Sequence, residues 1–441
     1  MGEDDALVLA EHAEKGGLTS DAIEAWLRAA EEALSGSDLG AVLARADRGI
    51  ALGATGEKLG ALRLLQAKAH RWRSEQVQAE GRGLEAMRCL PSGSALWFDA
   101  AGEVAVASGL LGRLDHLVDL GEALLTASDA SAGGASLIAC ARAATFFFLH
   151  GQHDLAEAVL ARIEAGEQRL GALEPDVRGR VCYVRATHAL ITGDLGRYLT
   201  RSEEAAACFE TAGNVRSLAV QRLNVGNAHL LTGGWAEAAT ALRAALALAE
   251  RTGSQSLLAE TRQGLAAALA EQGDYERALA VGTAGAEAAA RVGARRAEAQ
   301  ARSVVARVAE RAGDRTRAEA EVRAALMVSE GLPAVRAWAL AVAAELALSA
   351  GKVDVALQHA QAGLKILREL GALEVGEALL RLTWAEALTA AGRADEARAA
   401  GAEARTWLEA RAAKIKDGAL RERFRREVPE NARIGALPQP T

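Results

Sequence analysis

Leu265-Ala266, followed seven positions on by Gly273-Asp274-Tyr275-Glu276-Arg277-Ala278, holds the pattern of the whole chain in miniature. An Ala- and Leu-rich stretch that favours helix runs into a glycine, the residue best suited to end a helix in a left-handed cap, and a second helical stretch follows. Working outward from this stretch, the same punctuation returns. Turn glycines stand at Gly193, Gly213, Gly233, Gly253, Gly273, Gly293, Gly313, Gly331, Gly351, Gly371 and Gly392, close to twenty residues apart. The segments between them carry apolar residues at helical intervals and no proline in mid-element, so each reads as a helix of about four turns with a glycine cap.

Alternate glycines differ in kind. Gly233, Gly273, Gly313, Gly351 and Gly392 are each followed five positions later by an alanine: Ala238, Ala278, Ala318, Ala356 and Ala397. Two helices joined by a tight turn approach closely just past it, and a small residue is required there. The repeating unit is therefore a helical hairpin of about forty residues.

With these residues in place, the chain resembles the tetratricopeptide family, whose first helix carries a large-small pair ahead of a Gly-Asp-Tyr turn. The matching pairs are Val225-Gly226, Leu265-Ala266, Val305-Ala306, Ala343-Ala344 and Trp384-Ala385, with Leu242 and Ala245 fitting second-helix positions. Weaker copies extend upstream, with turns near Gly151, Gly112, Ser74 and Gly36; after Gly193 the small position is taken by Tyr198. The resemblance implies an all-α fold, a right-handed α-α superhelical solenoid of about ten hairpins, with about twenty helices and no strand. Helices and a capping repeat are expected over 1–56, the solenoid over 57–411, and a capping helix and tail over 412–441.

Composition agrees with a helical core and narrows the partners. Half of the 441 residues are hydrophobic but only 4% are aromatic, so the interior is built from Ala, Leu and Val. With 51 basic and 58 acidic residues and a net charge of −7, there is no general cationic surface, and neither nucleic acid nor a membrane is expected as a partner. Met1-Gly2-Glu3-Asp4-Asp5 leads into no apolar signal segment, and no apolar run reaches membrane-spanning length, so a cytoplasmic protein is expected. Cys89, Cys140, Cys182 and Cys208 are far apart and read as small hydrophobes without metal or redox spacing.

Catalytic patterns are missing. The sequence has no GxSxG elbow, no HExxH and no GxxxxGK[ST] phosphate loop, so it reads as a non-enzyme with no cofactor. His150 and His153 bracket the Gly151 turn, with His188 and His229 late in the next two first helices, but no carboxylate or cysteine completes a ligand spacing. No metal is expected.

Two further stretches, Glu11-His12-Ala13-Glu14-Lys15-Gly16-Gly17 with Ala25-Trp26-Leu27-Arg28-Ala29-Ala30-Glu31, and Leu420-Arg421-Glu422-Arg423-Phe424 with Val428-Pro429-Glu430-Asn431, resemble the repeat arm of bacterial serine/threonine kinases and STAND ATPases. That resemblance implies a scaffold or sensor in bacterial signalling, associated with a kinase or STAND ATPase, but no phosphoryl transfer by this chain. From Arg411 onward there are eight basic and four acidic residues, cations that suit the carboxyl end of a capping helix.

Stacked hairpins offer a concave wall of first helices to a partner protein or peptide. Aligned on the turn glycines, the resemblance places groove positions at Arg142, Tyr183, Asn224, Asn227, Gln263, Arg307 and Trp338. Asn224 and Asn227, three apart on one helix face, can each donate to and accept from an extended backbone. Arg222, Arg262, Arg302 and Arg381 recur beside the wall and read as inter-repeat packing and ion-pairing residues.

Overall fold

The backbone is left-handed at every one of the eleven predicted turn glycines, with φ between +67° and +86°. The computed structural model describes residues 4–129, 132–373 and 375–438. At Gly273 the local chemistry is complete. The Asp274 N–H donates back to the Leu269 carbonyl at 3.0 Å, closing the outgoing helix, and the Asp274 carboxylate accepts from the Arg277 N–H at 3.2 Å, opening the next. Asp194, Asn214 and Asp314 cap their following helices in the same way. Upstream, Ser74 takes the left-handed position at its turn, and at the turn near Gly36 it is Ser37 that does so.

The chain forms two compact units, residues 1–188 and 189–441. The first holds α1 (Asp4–Lys15), α2 (Thr19–Ser35), α3 (Leu39–Ala51), α4 (Gly56–Trp72), α5 (Gln76–Cys89), α6 (Ala95–Leu111), α7 (Leu114–Thr126), α8 (Gly134–Leu149), α9 (His153–Leu170) and most of α10 (Pro175–Thr192). The second holds α11 (Leu195–Thr211), α12 (Val215–Leu231), α13 (Trp235–Thr252), α14 (Gln255–Glu271), α15 (Tyr275–Arg291), α16 (Arg295–Arg311), α17 (Arg315–Val328), α18 (Pro333–Ser349), α19 (Val353–Leu370), α20 (Glu377–Ala390) and α21 (Ala394–Ala412). Two short helices, α22 (Gly418–Arg426) and α23 (Pro429–Ala436), follow. Among the described residues there are 23 helices and no strand, and consecutive helices pack as hairpins.

In the second unit the two helices of a hairpin have different surroundings. Successive first helices pack on one another, α12 on α14, α14 on α16, α16 on α18 and α18 on α20, while successive second helices make no comparable contact. The first helices thus form the close-packed inner wall and the second helices the splayed outer one. Burial follows: α18 has eleven buried residues and its partner α19 only four, which is why α18 is apolar almost all round and α19 is amphipathic. Ala238, Ala278, Ala318 and Ala356, the small residues past the turns, are fully buried, and Ala397 is half-buried.

The turn glycines make a clean test of backbone strain. Gly313 has φ +86° and nothing near the position an added Cβ would take, so Gly313→Ala carries only the conformational penalty. We expect it to lower stability by about 1–2 kcal/mol in urea denaturation. A neutral substitution would contradict the left-handed turn.

Candidate functional site

Residues at one register of the first helices meet their counterparts in the next repeat. Six positions ahead of the turn glycine, the second unit reads Asn227, Ala267, Arg307, Glu345 and Glu386. Arg307 Nε donates to Glu345 at 2.8 Å across adjacent first helices. The inner wall therefore carries a polar ladder whose charges lie one repeat apart.

The chain itself lies on this ladder. Past α21 it turns back, and Lys414 Nζ reaches the Thr192 carbonyl. Arg423 donates to the Thr232 carbonyl at 3.2 Å and to Glu237 at 3.0 Å, so α22 passes over the α12–α13 turn; there a Cβ on Gly233 would fall 2.7 Å from Glu427. Asn431 ties α22 to α23 by donating to the Phe424 carbonyl at 2.9 Å, with Pro429 in the first turn of α23. Glu430 then accepts from Arg307 at 2.5 Å, and Arg433 donates to Glu386 at 2.6 Å and to Glu345 at 3.4 Å. Beneath these pairs Ile415, Phe424 and Ile434 are buried with Leu195, Leu382 and Leu408. Arg307 is a buried charge with two carboxylates: burial disfavours its protonated form, but Glu345 and Glu430 outweigh burial and raise its pKa. Burial likewise pushes the Glu430 carboxyl up, and the Arg307 guanidinium reverses this to leave it below the ordinary value.

The candidate residues fall into distinct settings. Asn224, Asn227 and Gln263 are half-buried on α12 and α14, and Asn224 Nδ2 donates to Gln221 at 3.3 Å. Asn227 Oδ1 lies 3.4 Å from where a Cβ on Gly264 would stand, so the wall is narrow there. Arg307 is on the wall but engaged in the cis contact. Trp338 departs from the groove expectation. It is 6% exposed and part of the main core, because the backbone at Gly376 closes over its ring. Three of the four recurrent arginines make ion pairs: Arg222 with Glu210, Arg302 with Glu298 and Glu321, Arg381 with Glu377. Glu345, Glu386 and Arg433 escaped the sequence reading, and Glu430 entered it only within the Val428-Pro429-Glu430-Asn431 stretch, although Glu345 and Glu386 share the register of Arg307.

In the first unit, Arg142 and Tyr183 are half-buried on α8 and α10. Arg142 is held by Glu103 at 2.7 Å, and Arg71 from α4 donates to the same carboxylate. Glu103 stands nine positions ahead of Gly112 as Arg142 does ahead of Gly151, so here too equal registers pair across repeats. Burial pushes the Glu103 carboxyl up, but Arg71 and then Arg142 bring it down to about 2. Nearby, burial and then repulsion from Arg142 take the Arg180 guanidinium down to about 9, against the pull of Asp176.

His150 and His188 serve the packing. His150 Nε2 bonds the Gly109 carbonyl at 2.8 Å, and His188 stacks on Phe148 at 4.8 Å and pairs with Glu157 at 3.2 Å. Among the described residues no group of three metal-ligating side chains is present, and no helix is long and apolar enough to cross a membrane. Cys140 and Cys182 are buried, and burial pushes the Cys140 thiol up to about 11.

No protein-family profile matches the sequence, and no curated protein matches it. Solved structures match by shape. A Rap protein complexed with competence and sporulation factor is 15% identical, with a TM-score of 0.54 over 87% of this chain and 100% of that one. A STAND protein with a tetratricopeptide repeat sensor, from Pyrococcus horikoshii, is also 15% identical at a TM-score of 0.54, over 81% of this chain. The match spans just over half, 55%, of that longer protein. The likeness is one of fold: this chain is a tetratricopeptide-like array of helical hairpins, similar to the repeat arm of a STAND protein.

Proposed function

We propose that this chain is a non-catalytic interaction module or scaffold that binds a partner protein or peptide along its first-helix wall, in bacterial signalling and in the cytoplasm. The observation that supports this reading is the Arg307–Glu430 pair, made between residues 123 apart in sequence: the wall holds a helical segment through a charge matched to its own. A fold of stacked hairpins supplies such a wall ready-made, so little ordering is required of the receptor when it binds.

The test begins with affinity capture and mass spectrometry and is decided by a variant. Asn224→Ala/Asn227→Ala removes two carboxamides from a half-buried face without emptying the core. If each makes a hydrogen bond to the partner, worth about 0.5–1.5 kcal/mol, the pair should cost up to about a hundredfold in affinity. Thermal stability should fall only slightly, the better helix propensity of Ala offsetting part of the lost Asn224–Gln221 hydrogen bond. Unchanged affinity with markedly lowered stability would assign both asparagines to the fold and count against this stretch of wall.

A second reading is a sensor arm that binds a small ligand or signalling peptide and regulates a kinase or ATPase. What favours it is the fold shared with a protein crystallised with a competence and sporulation factor and with a repeat sensor. A stoichiometric protein in the capture supports the scaffold. A co-purifying peptide or metabolite supports the sensor.

A further inference from the structure

We propose that residues 413–438 are an exchangeable ligand that the second unit holds in cis, and that the partner of this groove is an amphipathic helix of the same charge order, which enters by displacing them. The proposal rests on the wall being the partner-binding surface and adds what the partner looks like and what it must remove. The order can be read from both sides of the contact. The second unit presents Glu237 in the first turn of α13, then Arg307, Glu345 and Glu386 on the first-helix wall; the segment answers with Arg423, Glu430 seven positions on, and Arg433 three further.

Four observations make the segment an occupant and not part of the frame. The main core of the second unit, running from Ala219 to Leu380, contains no residue of 413–438, and the segment's apolar anchors belong to a separate cluster. Its helices have nine and eight residues, too few to persist in water without a surface to lie on. Several of its charge pairs are open to solvent: Arg433 is 46% exposed and Glu386 26%, Arg423 28% and Glu237 51%. Such pairs contribute little to holding and more to selecting register. Finally, the segment does not fill its groove. A pocket of about 360 Å³ remains between Arg433 and the wall residues Arg307, Arg311, Glu345, Ser349 and Glu386, where an entering helix can gain a first contact.

The experiment uses the full chain and a labelled synthetic peptide of residues 413–438. In the unaltered chain the tethered segment competes at an effective concentration in the millimolar range, so the peptide should bind weakly. Glu430→Arg/Arg433→Glu in the chain sets like charges against Arg307 and Glu345 and should tighten binding of the native peptide at least tenfold. Adding Arg307→Glu should abolish that gain, and a peptide carrying Glu430→Arg should restore it. Equal binding to the unaltered and charge-reversed chains overturns the proposal. Should the reversed chain fold poorly, hydrogen exchange on the unaltered protein decides: amides of 418–436 should exchange at least tenfold faster than those of α14–α16, and equal protection makes the segment a permanent cap. A chain that takes the peptide by this rule while its captured partner binds elsewhere keeps the cis contact and removes the groove reading of function.

Discussion

Replacing Glu103 with Ala should destabilise the first unit by about 3–5 kcal/mol, the cost of stranding buried charge. Its carboxylate is 1% exposed and joins Arg71, 12% exposed, to Arg142, 13% exposed. Without it two guanidiniums with little access to water face each other, with Arg180 adding to the positive field. The loss should be recovered in large part by replacing all three, Arg71→Met/Glu103→Leu/Arg142→Met, since apolar residues of similar volume are no worse than a buried ion triad. Urea denaturation with hydrogen exchange over 95–149 reads both effects; a single substitution costing under 1 kcal/mol would show the triad to be hydrated.

The same residue gives the unit an acid limit. Glu103 titrates at about 2 in the fold against 4.5 unperturbed. A lowered carboxylate pKa means that the unfolded chain takes up protons first as pH falls. The linked stability, of order 3 kcal/mol, is fully present above pH 4.5 and drains away toward pH 2. Glu103→Gln should flatten stability across that window while leaving the neutral-pH loss in place, and an unchanged acid profile in Glu103→Gln would place the sensitivity elsewhere.

The fold was legible because its signals are local. A left-handed glycine, a capping Asp and an alanine past the turn lie within six residues of each other, and each acts through its own backbone or the facing helix. The turn between α2 and α3 shows the limit of that reading: Gly36 is right-handed and Ser37, the residue after it, carries the positive φ that a glycine would take more easily. The site was less legible because its chemistry is non-local. Arg307 reads as an open groove residue until the register of Glu345 in the next repeat is set beside it, and Glu430 comes from 123 residues away. Trp338 reads as a wall residue from its helix, but the loop at Gly376 decides its burial. The arginines after Arg411 suit a helix carboxyl end on local grounds. In the structure Arg423 has a carboxylate of α13 as its partner and Arg433 one of α20.

Gly226→Ala should destabilise the native chain and stabilise a chain that already carries Leu242→Ala. Leu242 is fully buried on α13 and fits a notch floored by two first helices: its Cγ lies 2.5 Å from where a Gly226 Cβ would be, and its Cδ2 lies 3.2 Å from the corresponding point at Gly264. A methyl on Gly226 therefore displaces Leu242, an overpacking cost of about 1–3 kcal/mol set against a gain of up to about 1 kcal/mol in helix propensity. Leu242→Ala alone leaves a cavity under two repeats and should cost about 2–5 kcal/mol. In that background the added methyl enters vacated space, the overpacking disappears, and the propensity gain remains. The cycle should show a favourable coupling of about 1–3 kcal/mol, the overpacking cost itself, well outside what independent sites give. Hydrogen exchange confined to α12–α14 is the proper readout, because hairpins that touch mainly their neighbours need not unfold together. Additive losses would mean that Leu242 has another rotamer to retreat to, and that the glycine of the large-small pair is not there to admit it.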